Sequence, residues 1–503
     1  MIKFWIQSDK IRKRIFIPRF YDPEVARQLS QLEDDYNCIA VGDLIESGQI
    51  SVSTGDEIGK AAYGTGDIPF VRTSDIVNWE IKAAPKQGIS REIYEEYADK
   101  QDVREGDILF VRDGTYLIGT NCYVTRFDKD LLFQSHLLKI RINDPDSIDP
   151  HLVFLAFNSK LVQRQIRAFQ FTADIIDTIG ARFYDLVLPL IKNHSVGSSL
   201  IKQTDDALET RVKNKAFIKH CPTLIEHILR TGTSTALTAF QKATDDEIKN
   251  LLRSETITSE YGTFESYWLF SDRIKDLIIV PKYYDPSIGS ELSALAKYCD
   301  LKSFAQLRSE GAIEYHTGDE IGKMAYGTGT IPFIRTSDFG NWEIKHDPKQ
   351  GISNSIYEEY AAKQDVQEND IFLVRDGTYL VGTSCIITAG DSKCLFSGGL
   401  YKIRLLQPDQ LDPFLVLGLL NSYIVKRQIR SKQFTRDVID TLGNRLDEIV
   451  LPIPKSKEIR HAIRDAMYSV ISERIAARFT ISRLSTEYAA NYSQSPDSSF
   501  VST

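Results

Sequence analysis

No run of 18 consecutive apolar residues occurs in this 503-residue chain, so no membrane-spanning helix is expected. The opening residues carry Lys3, Asp9, Lys10, Arg12, Lys13 and Arg14 and no apolar stretch, which argues against a secretory leader. Cysteine is sparse: Cys38, Cys122, Cys221, Cys299, Cys385 and Cys394 form no CxxC pair and no zinc-like spacing. Reduced cytosolic thiols are the expectation. The eight histidines are scattered without metal-ligand spacing. There is no GxSxG, no NPPY or DPPY methyltransferase signature and no glycine-rich cofactor loop. Positive charge is in deficit, with 61 basic against 69 acidic residues and a net charge of -8. That counts against a uniformly basic nucleic-acid binder but says nothing about local clustering. What remains, 42% hydrophobic and 26% charged, is ordinary for a globular protein of two to four domains.

The dominant feature is an internal duplication. Shifted by 263 positions, residues 4–192 align with residues 267–455 without a gap. Residues 55–82 match 318–345 at 23 of 28 positions, and 101–120 match 364–383 at 15 of 20. FWIQSDKI answers YWLFSDRI near the start, and LVLPLIK answers IVLPIPK near the end. A period this long is not a solenoid; each copy is large enough to bury its own core. The expected plan is a module at 1–192, a connector at 193–265, a second module at 266–455, a second connector at 456–488 and a tail at 489–503.

Within a copy, residues 55–66 hold four glycines and read as a loop, followed by a short strand at 68–71. DILFV (107–111) and DIFLV (370–374) read as strands ending in the turn RDGT, where Asp-Gly tolerates positive φ. A second strand is expected over 116–125, and another over 137–142. Asp149-Pro150 and Asp412-Pro413 look like an N-cap followed by proline at the first helical position, opening helices that run to about Ala168 and Ser431. The expected class is α+β, strands first and helix late. In the second connector Ile459, Ile463, Met467, Val470, Ile471, Ile475, Phe479 and Leu484 recur at helical spacing. Leu200, Ala207, Leu208, Val212 and Ala216 give a weaker stripe in the first, with a break expected at Pro222. Such stripes fit ordinary core packing, or packing of the two connectors against each other.

Three catalytic look-alikes are present. GDEIGKAAYG from Gly55 resembles a phosphate loop, but has three residues between the first Gly and Gly-Lys where four are needed, and Ala61 where a hydroxyl should hold Mg²⁺. FVRDGTY resembles a phosphatase turn but carries Val111 and Val374 at the nucleophile position. Asp75, Glu80 and Lys82, repeated as Asp338, Glu343 and Lys345, resemble a Mg-dependent nuclease set, the WEIK segments.

The polar turns are better suited to binding. Arg72, Thr73 and Ser74 follow one strand, and Arg112, Asp113, Thr115 and Tyr116 follow another; Arg335, Thr336, Ser337 and Arg375, Asp376, Thr378, Tyr379 repeat them. Arginine can form two hydrogen bonds to guanine, while hydroxyls and backbone amides suit phosphates; an Arg–Asp pair that only staples a turn is the alternative. Lys60 and Tyr63, with Lys323 and Tyr326, belong to the preceding loop. Residues 151–173 contain Lys160, Arg164 and Arg167 and no acid; residues 414–436 contain Lys426, Arg427, Arg430, Lys432 and Arg436 and no acid. With 69 acids in 503 residues, about three would be expected in each window of 23. These strips lead into Gln170 and Thr172, and into Gln433 and Thr435. They make a candidate phosphate footprint, or a solvated helix face.

The layout resembles the specificity subunits of type I restriction-modification systems. The resemblance is carried by the duplication, by IPFVRTSD and ILFVRDGTYLIGT, and by the LPLIK and LPIPK ends that lead into helices. It implies two homologous target-recognition domains joined by long helical spacers with pseudo-twofold symmetry, and a non-catalytic chain that reads a bipartite target in double-stranded DNA. It also implies partners: two modification subunits that use S-adenosylmethionine to methylate adenine, and an ATP- and Mg-dependent restriction and translocase subunit. The setting implied is the prokaryotic cytoplasm. The first spacer departs from the pattern at Pro222 and in its extension over 235–253. A spacer helix of about 33 residues would be roughly 50 Å long, and near-identical modules predict related, inverted half-sites. The alternatives are a recognition subunit of another phage-defence methyltransferase, a Mg-dependent nuclease using the WEIK segments, and a protein scaffold that never touches DNA.

Overall fold

The computed structural model describes all residues except 1–4, 7, 9, 10, 12–14, 115, 129, 174, 175, 254–266, 378, 437, 438 and 491–503. Two compact units divide it: Met1–Ile81 with Pro85–Val212 and Ile475–Thr503, and Lys82–Ala84 with Lys213–Arg474.

In the first unit the chain order is α1 (Pro23–Leu32), β1 (Tyr36–Ala40), α2 (Val41–Glu46), β2 (Ile50–Thr54), β3 (Ile68–Val71), β4 (Ile76–Val77), β5 (Glu80–Ile81), β6 (Gly88–Ile89), α3 (Arg91–Gln101), β7 (Ile108–Val111), β8 (Asn121–Tyr123), β9 (Leu132–Phe133), β10 (Leu137–Ile142), α4 (Pro150–Asn158), α5 (Lys160–Phe169), β11 (Phe171–Ala173), β12 (Ile176–Thr178) and β13 (Val187–Ile191). Strands β2, β10, β7 and β8 form one antiparallel sheet, and β6, β3 and β9 a second. The continuous apolar run of β7 has a direct cause. Ile108 and Phe110 enter the main core, whereas Leu109 and Val111 enter a smaller one with Val71, Ile76, Ile81 and Phe133. A strand buried on both faces needs apolar side chains at every position rather than at alternate ones.

The expected Asp149 cap forms, its side chain accepting from His151 N at 2.8 Å with Pro150 at the first helical position. The single late helix does not. Ser159 leaves helical conformation (ψ 148°) and caps α5, its hydroxyl accepting from Val162 N at 3.3 Å. Ser422 does the same in the second unit, between Pro413–Leu420 and Tyr423–Lys432. The strand expected over 116–125 is also shorter. Residues 116–119 are turn, and the strand itself spans Asn121–Tyr123, with Gly119 and Thr120 adding two backbone bonds to Val111 at the end of β7.

The first connector opens with a helix, α6, over His194–Thr231, with Pro222 inside it. The break expected there is absent. Ala216, Phe217, Cys221, Ile225, Ile228 and Leu229 are all buried around it, so packing outweighs the lost backbone hydrogen bond. In the second unit the chain then turns back through Thr235–Gln241 and Asp245–Arg253. Lys219 and His220 bond the carbonyls of Leu252 and Leu251 at 2.8 and 2.6 Å. The second connector is the C-terminal helix Lys457–Glu487. In the first unit Ala207 and Leu208 of α6 share one buried cluster with Ala477, Ile481 and Leu484 of the C-terminal helix. In the second unit Asn214 bonds Glu473 at 3.0 Å. The connectors thus pack on each other as well as on the modules.

Candidate nucleic-acid interface

Strand direction decides which turns meet. β3 runs parallel to β9, with Val71 opposite Phe133, so both strands end at the same edge. β7 runs antiparallel to β10, with Val111 opposite Leu137, so the end of β7 meets the start of β10. Four segments therefore converge: the Arg72 turn, the Arg112 turn, residues 134–136 and the end of the β11–β12 hairpin. Backbone hydrogen bonds fasten them, with Gln134 N to Val71 O at 2.9 Å, Arg112 N to His136 O at 3.0 Å and Gly114 N to Asp177 O at 2.9 Å. Gly55 closes the edge, since a Cβ there would lie 2.1 Å from Phe133 O. Only glycine permits that approach. The second unit repeats the arrangement through Ser397 N to Ile334 O (2.9 Å), Arg375 N to Gly399 O (2.9 Å) and Gly377 N to Asp440 O (2.9 Å).

Asp113 is the hub of this edge in the first copy. Its Oδ2 accepts from Arg112 Nε and Nη2 at 2.9 and 2.8 Å and lies 3.0 Å from His136 Nδ1, while Oδ1 accepts from Thr178. Burial alone would raise this carboxyl; the hydrogen bonds from Arg112, Thr178 and His136 hold it below its ordinary value. Gly114 adopts φ +137°, the conformation the Asp-Gly pair predicts. Asp376 keeps the Thr441 bond but has no histidine beside it. There Arg375 reaches Gly398 O at 3.3 Å, and its Nε stays 3.4 Å from Asp376.

The structure brings Arg72, Thr73, Ser74, Arg112 and Asp113 to one edge, with Arg335, Thr336, Ser337, Arg375 and Asp376 at its counterpart. All are half-buried rather than fully enclosed. Tyr116 is half-buried and Tyr379 is exposed. Lys60 and Lys323 are exposed on short 3-10 turns, whereas Tyr63 and Tyr326 stack on Phe70 and Phe333 at 5.7 and 5.6 Å. Thr115 and Thr378 lie outside the described residues, as do the side chains of Thr172 and Arg436.

The cationic strips look different in three dimensions. Arg164 pairs with Asp22 at 2.7 Å, Arg427 with Asp285 at 3.2 Å and with Glu291, and Lys432 with Glu448 at 3.4 Å while lying 3.5 Å over the Tyr283 ring. Asp22 and Asp285 also cap the helices that follow them. Arg167, bonded to Gln170 at 3.2 Å, and Arg430 stay exposed. Gln433 bonds Asp440 at 3.4 Å, and Thr435, exposed, also bonds it. The hub role of Asp113, His136 and Thr178 was not read from the sequence. Two signals pointed towards it: IDT at 176–178 recurs at 439–441, and Gln134-Ser135-His136 diverges from Ser397-Gly398-Gly399, a difference that could make two half-sites unequal.

The two carboxylates of each nuclease set are engaged by other groups, although in the second copy the buried Asp338 keeps Lys345 as a charged neighbour. Asp75 accepts from Arg72 N and Lys86 N, both at 3.1 Å, and so closes its own turn. Glu80 is paired with Arg211 of α6 at 3.1 Å, and Glu343 with Arg474 at 2.8 Å, all four side chains essentially inaccessible. Among the described residues no group of three His, Cys, Asp or Glu side chains could hold a metal ion. In the phosphate-loop look-alike the Gly59-Lys60 step opens the three-residue turn Lys60–Ala62, not the helix whose N-terminus such a loop needs.

No protein-family model matches the chain, and no curated relative matches it in sequence. Solved structures do resemble it. The S subunit of a type I restriction-modification system from M. genitalium is 12% identical, with 90% of this chain and 93% of that one covered and a TM-score of 0.34. The HsdS subunit from Thermoanaerobacter tengcongensis is 14% identical, with 90% and 95% covered and a TM-score of 0.27. A structure bearing on complex assembly and conformational transition of the type I R-M system is 13% identical, with 90% and 98% covered and a TM-score of 0.26.

Proposed function

We propose that this chain is a DNA-specificity subunit in which each copy reads one half of a bipartite duplex target. The observation that carries the reading is the duplicated strand-end edge. Each copy gathers an arginine–aspartate turn, a second arginine turn with two hydroxyls, and backbone amides at one rim, with exposed Lys60 or Lys323 on the same loop system. Guanidinium groups suit base edges in the major groove, and hydroxyls, amides and lysines suit phosphates. The sequence resemblance to type I specificity subunits extends the reading. The chain itself performs no bond-making; two modification subunits bind S-adenosylmethionine and methylate adenine, and a restriction subunit uses ATP and Mg²⁺, all in a prokaryotic cytoplasm. The nuclease alternative is disfavoured because Glu80 and Glu343 are held by Arg211 and Arg474.

Methylome sequencing of cells with and without the gene tests the proposal. Loss of one bipartite methyl-adenine motif on deletion is the expected result. An unchanged methylome, together with no sequence preference by the purified chain on duplex DNA, overturns it.

A further inference from the structure

The two copies are nearly the same protein at the proposed DNA edge, and the exceptions are concentrated. Residues 55–60, 72–75, 112–117 and 177–178 are identical to their partners 263 positions on. Among the loops of this edge, only residues 134–136 differ at three consecutive positions: Gln134, Ser135 and His136 against Ser397, Gly398 and Gly399. This segment lies between β9 and β10, at the centre of the edge, and its carbonyl at position 136 or 399 fixes the arginine turn.

The difference changes what the arginine can do. In the first copy His136 and Arg112 both bond Asp113 Oδ2, so the guanidinium fork is closed on a carboxylate of its own chain. Glu57 is likewise occupied, by Gln134 at 3.3 Å and by Ser135. In the second copy positions 398 and 399 offer no side chain. Arg375 Nη1 makes one 3.3 Å bond to Gly398 O, and its buried Nε lies 3.4 Å from Asp376 Oδ1, an ion pair without a hydrogen bond. An arginine whose Nη2 is not bonded to its own aspartate can turn that group towards guanine O6 or N7, whereas Arg112, bonded through both Nε and Nη2, cannot without breaking those bonds.

We propose that residues 134–136 and 397–399 are the specificity determinants that make the two half-sites unequal, with Arg375 selecting a guanine in the second copy's half and Arg112 held from doing so in the first. The proposal rests on the DNA-reading function above. Its consequence is a target whose halves agree where the edge loops are identical and diverge at the position facing this segment.

The test uses the full chain carrying Gln134→Ser, Ser135→Gly and His136→Gly, a change that removes atoms and so meets no steric barrier. Wild type and variant are each selected on a randomised duplex library and expressed with their native partners for methylome sequencing. The expected result is that the first half-site acquires the guanine preference of the second, by about tenfold or more, turning the motif into an inverted repeat. In the reverse sense, Arg375→Lys should lose that preference in the second half alone. Retention of the wild-type motif by the triple variant overturns the proposal while leaving the DNA reading intact. Failure of the wild-type chain to select any sequence overturns both. If the triple variant melts well below wild type, His136→Gly alone decides: a changed preference in the first half supports the proposal, and an unchanged one overturns it.

Discussion

Two buried ion pairs show what a single residue decides here. Glu80 and Arg211, like Glu343 and Arg474, are 0–1% exposed. Removing one partner takes the counter-charge from a group in a low-dielectric site, whereas replacing both with apolar groups removes the desolvation cost as well. Glu80→Ala should therefore destabilise its unit by about 3–5 kcal/mol, while Glu80→Met with Arg211→Met should recover most of that loss. Chemical denaturation of the four combinations measures this directly; a Glu80→Ala variant as stable as wild type would contradict it. Asp102 gives the acid-side counterpart. Hydrogen bonds from Arg104 and then Arg141 pull its carboxyl down to about 2, against about 3.9 in an unfolded chain. A depressed folded value means that this contribution is complete above pH 4 and is lost as pH falls towards 2. In the second copy Gln367 stands where Arg104 does, bonding Asp365 at 2.9 Å. Arg104→Gln should thus raise the Asp102 value and begin the acid loss at higher pH, read from urea midpoints at pH 5 and pH 3.

At the scale of elements, the sequence was informative where the signal was local and silent where it was not. The duplication, the β7 strand, the Asp149 and Asp412 caps and the C-terminal helix were legible, because each rests on neighbours in the chain. The α4–α5 break was not: the apolar pattern runs on across Ser159, and its hydroxyl can cap a helix or ride inside one. Pro222 misled for the opposite reason, since a strong local signal was overruled by burial on neighbouring turns. The cationic strips show the limit of a local count. Their windows contain no acid, yet Arg164 meets Asp22 across 142 positions, and Arg427 meets Glu291 across 136. The candidate edge was half legible. Its turns could be named, but their convergence follows from the parallel pairing of β3 and β9, which leaves no short-range mark. The break itself can be tested. Ser159 Oγ also donates to Ala156 O at 2.7 Å, as Ser422 Oγ does to Leu419 O. Ser159→Ala or Ser422→Ala should each cost about 1–2 kcal/mol, nearly equal in the two copies by thermal or urea melts, and unequal losses would show that the copies do not use this joint alike.

For the whole molecule, the net charge of -8 sets how DNA can be held. A polyanion is repelled by such a chain at long range, so binding must come from cations placed close to the phosphates, and the number of those contacts is readable from salt. Each phosphate neutralised contributes about -0.9 to the slope of log K against log salt. Lys60 and Lys323 occupy matching exposed turns, while Arg164, Arg427 and Lys432 are engaged by acids of the chain itself. Removing either lysine should therefore reduce the slope by about 0.9 and removing both by twice that, with little change in which sequence is preferred, because phosphate contacts position rather than specify. Arg164→Gln should leave the slope nearly unchanged and show its effect in the melt instead, because its partner is Asp22 rather than DNA. Fluorescence titrations of a fixed duplex across a salt series separate the two outcomes. A slope that responds to Arg164 and ignores both lysines would move the contact surface from the strand-end edge to the α5 helix.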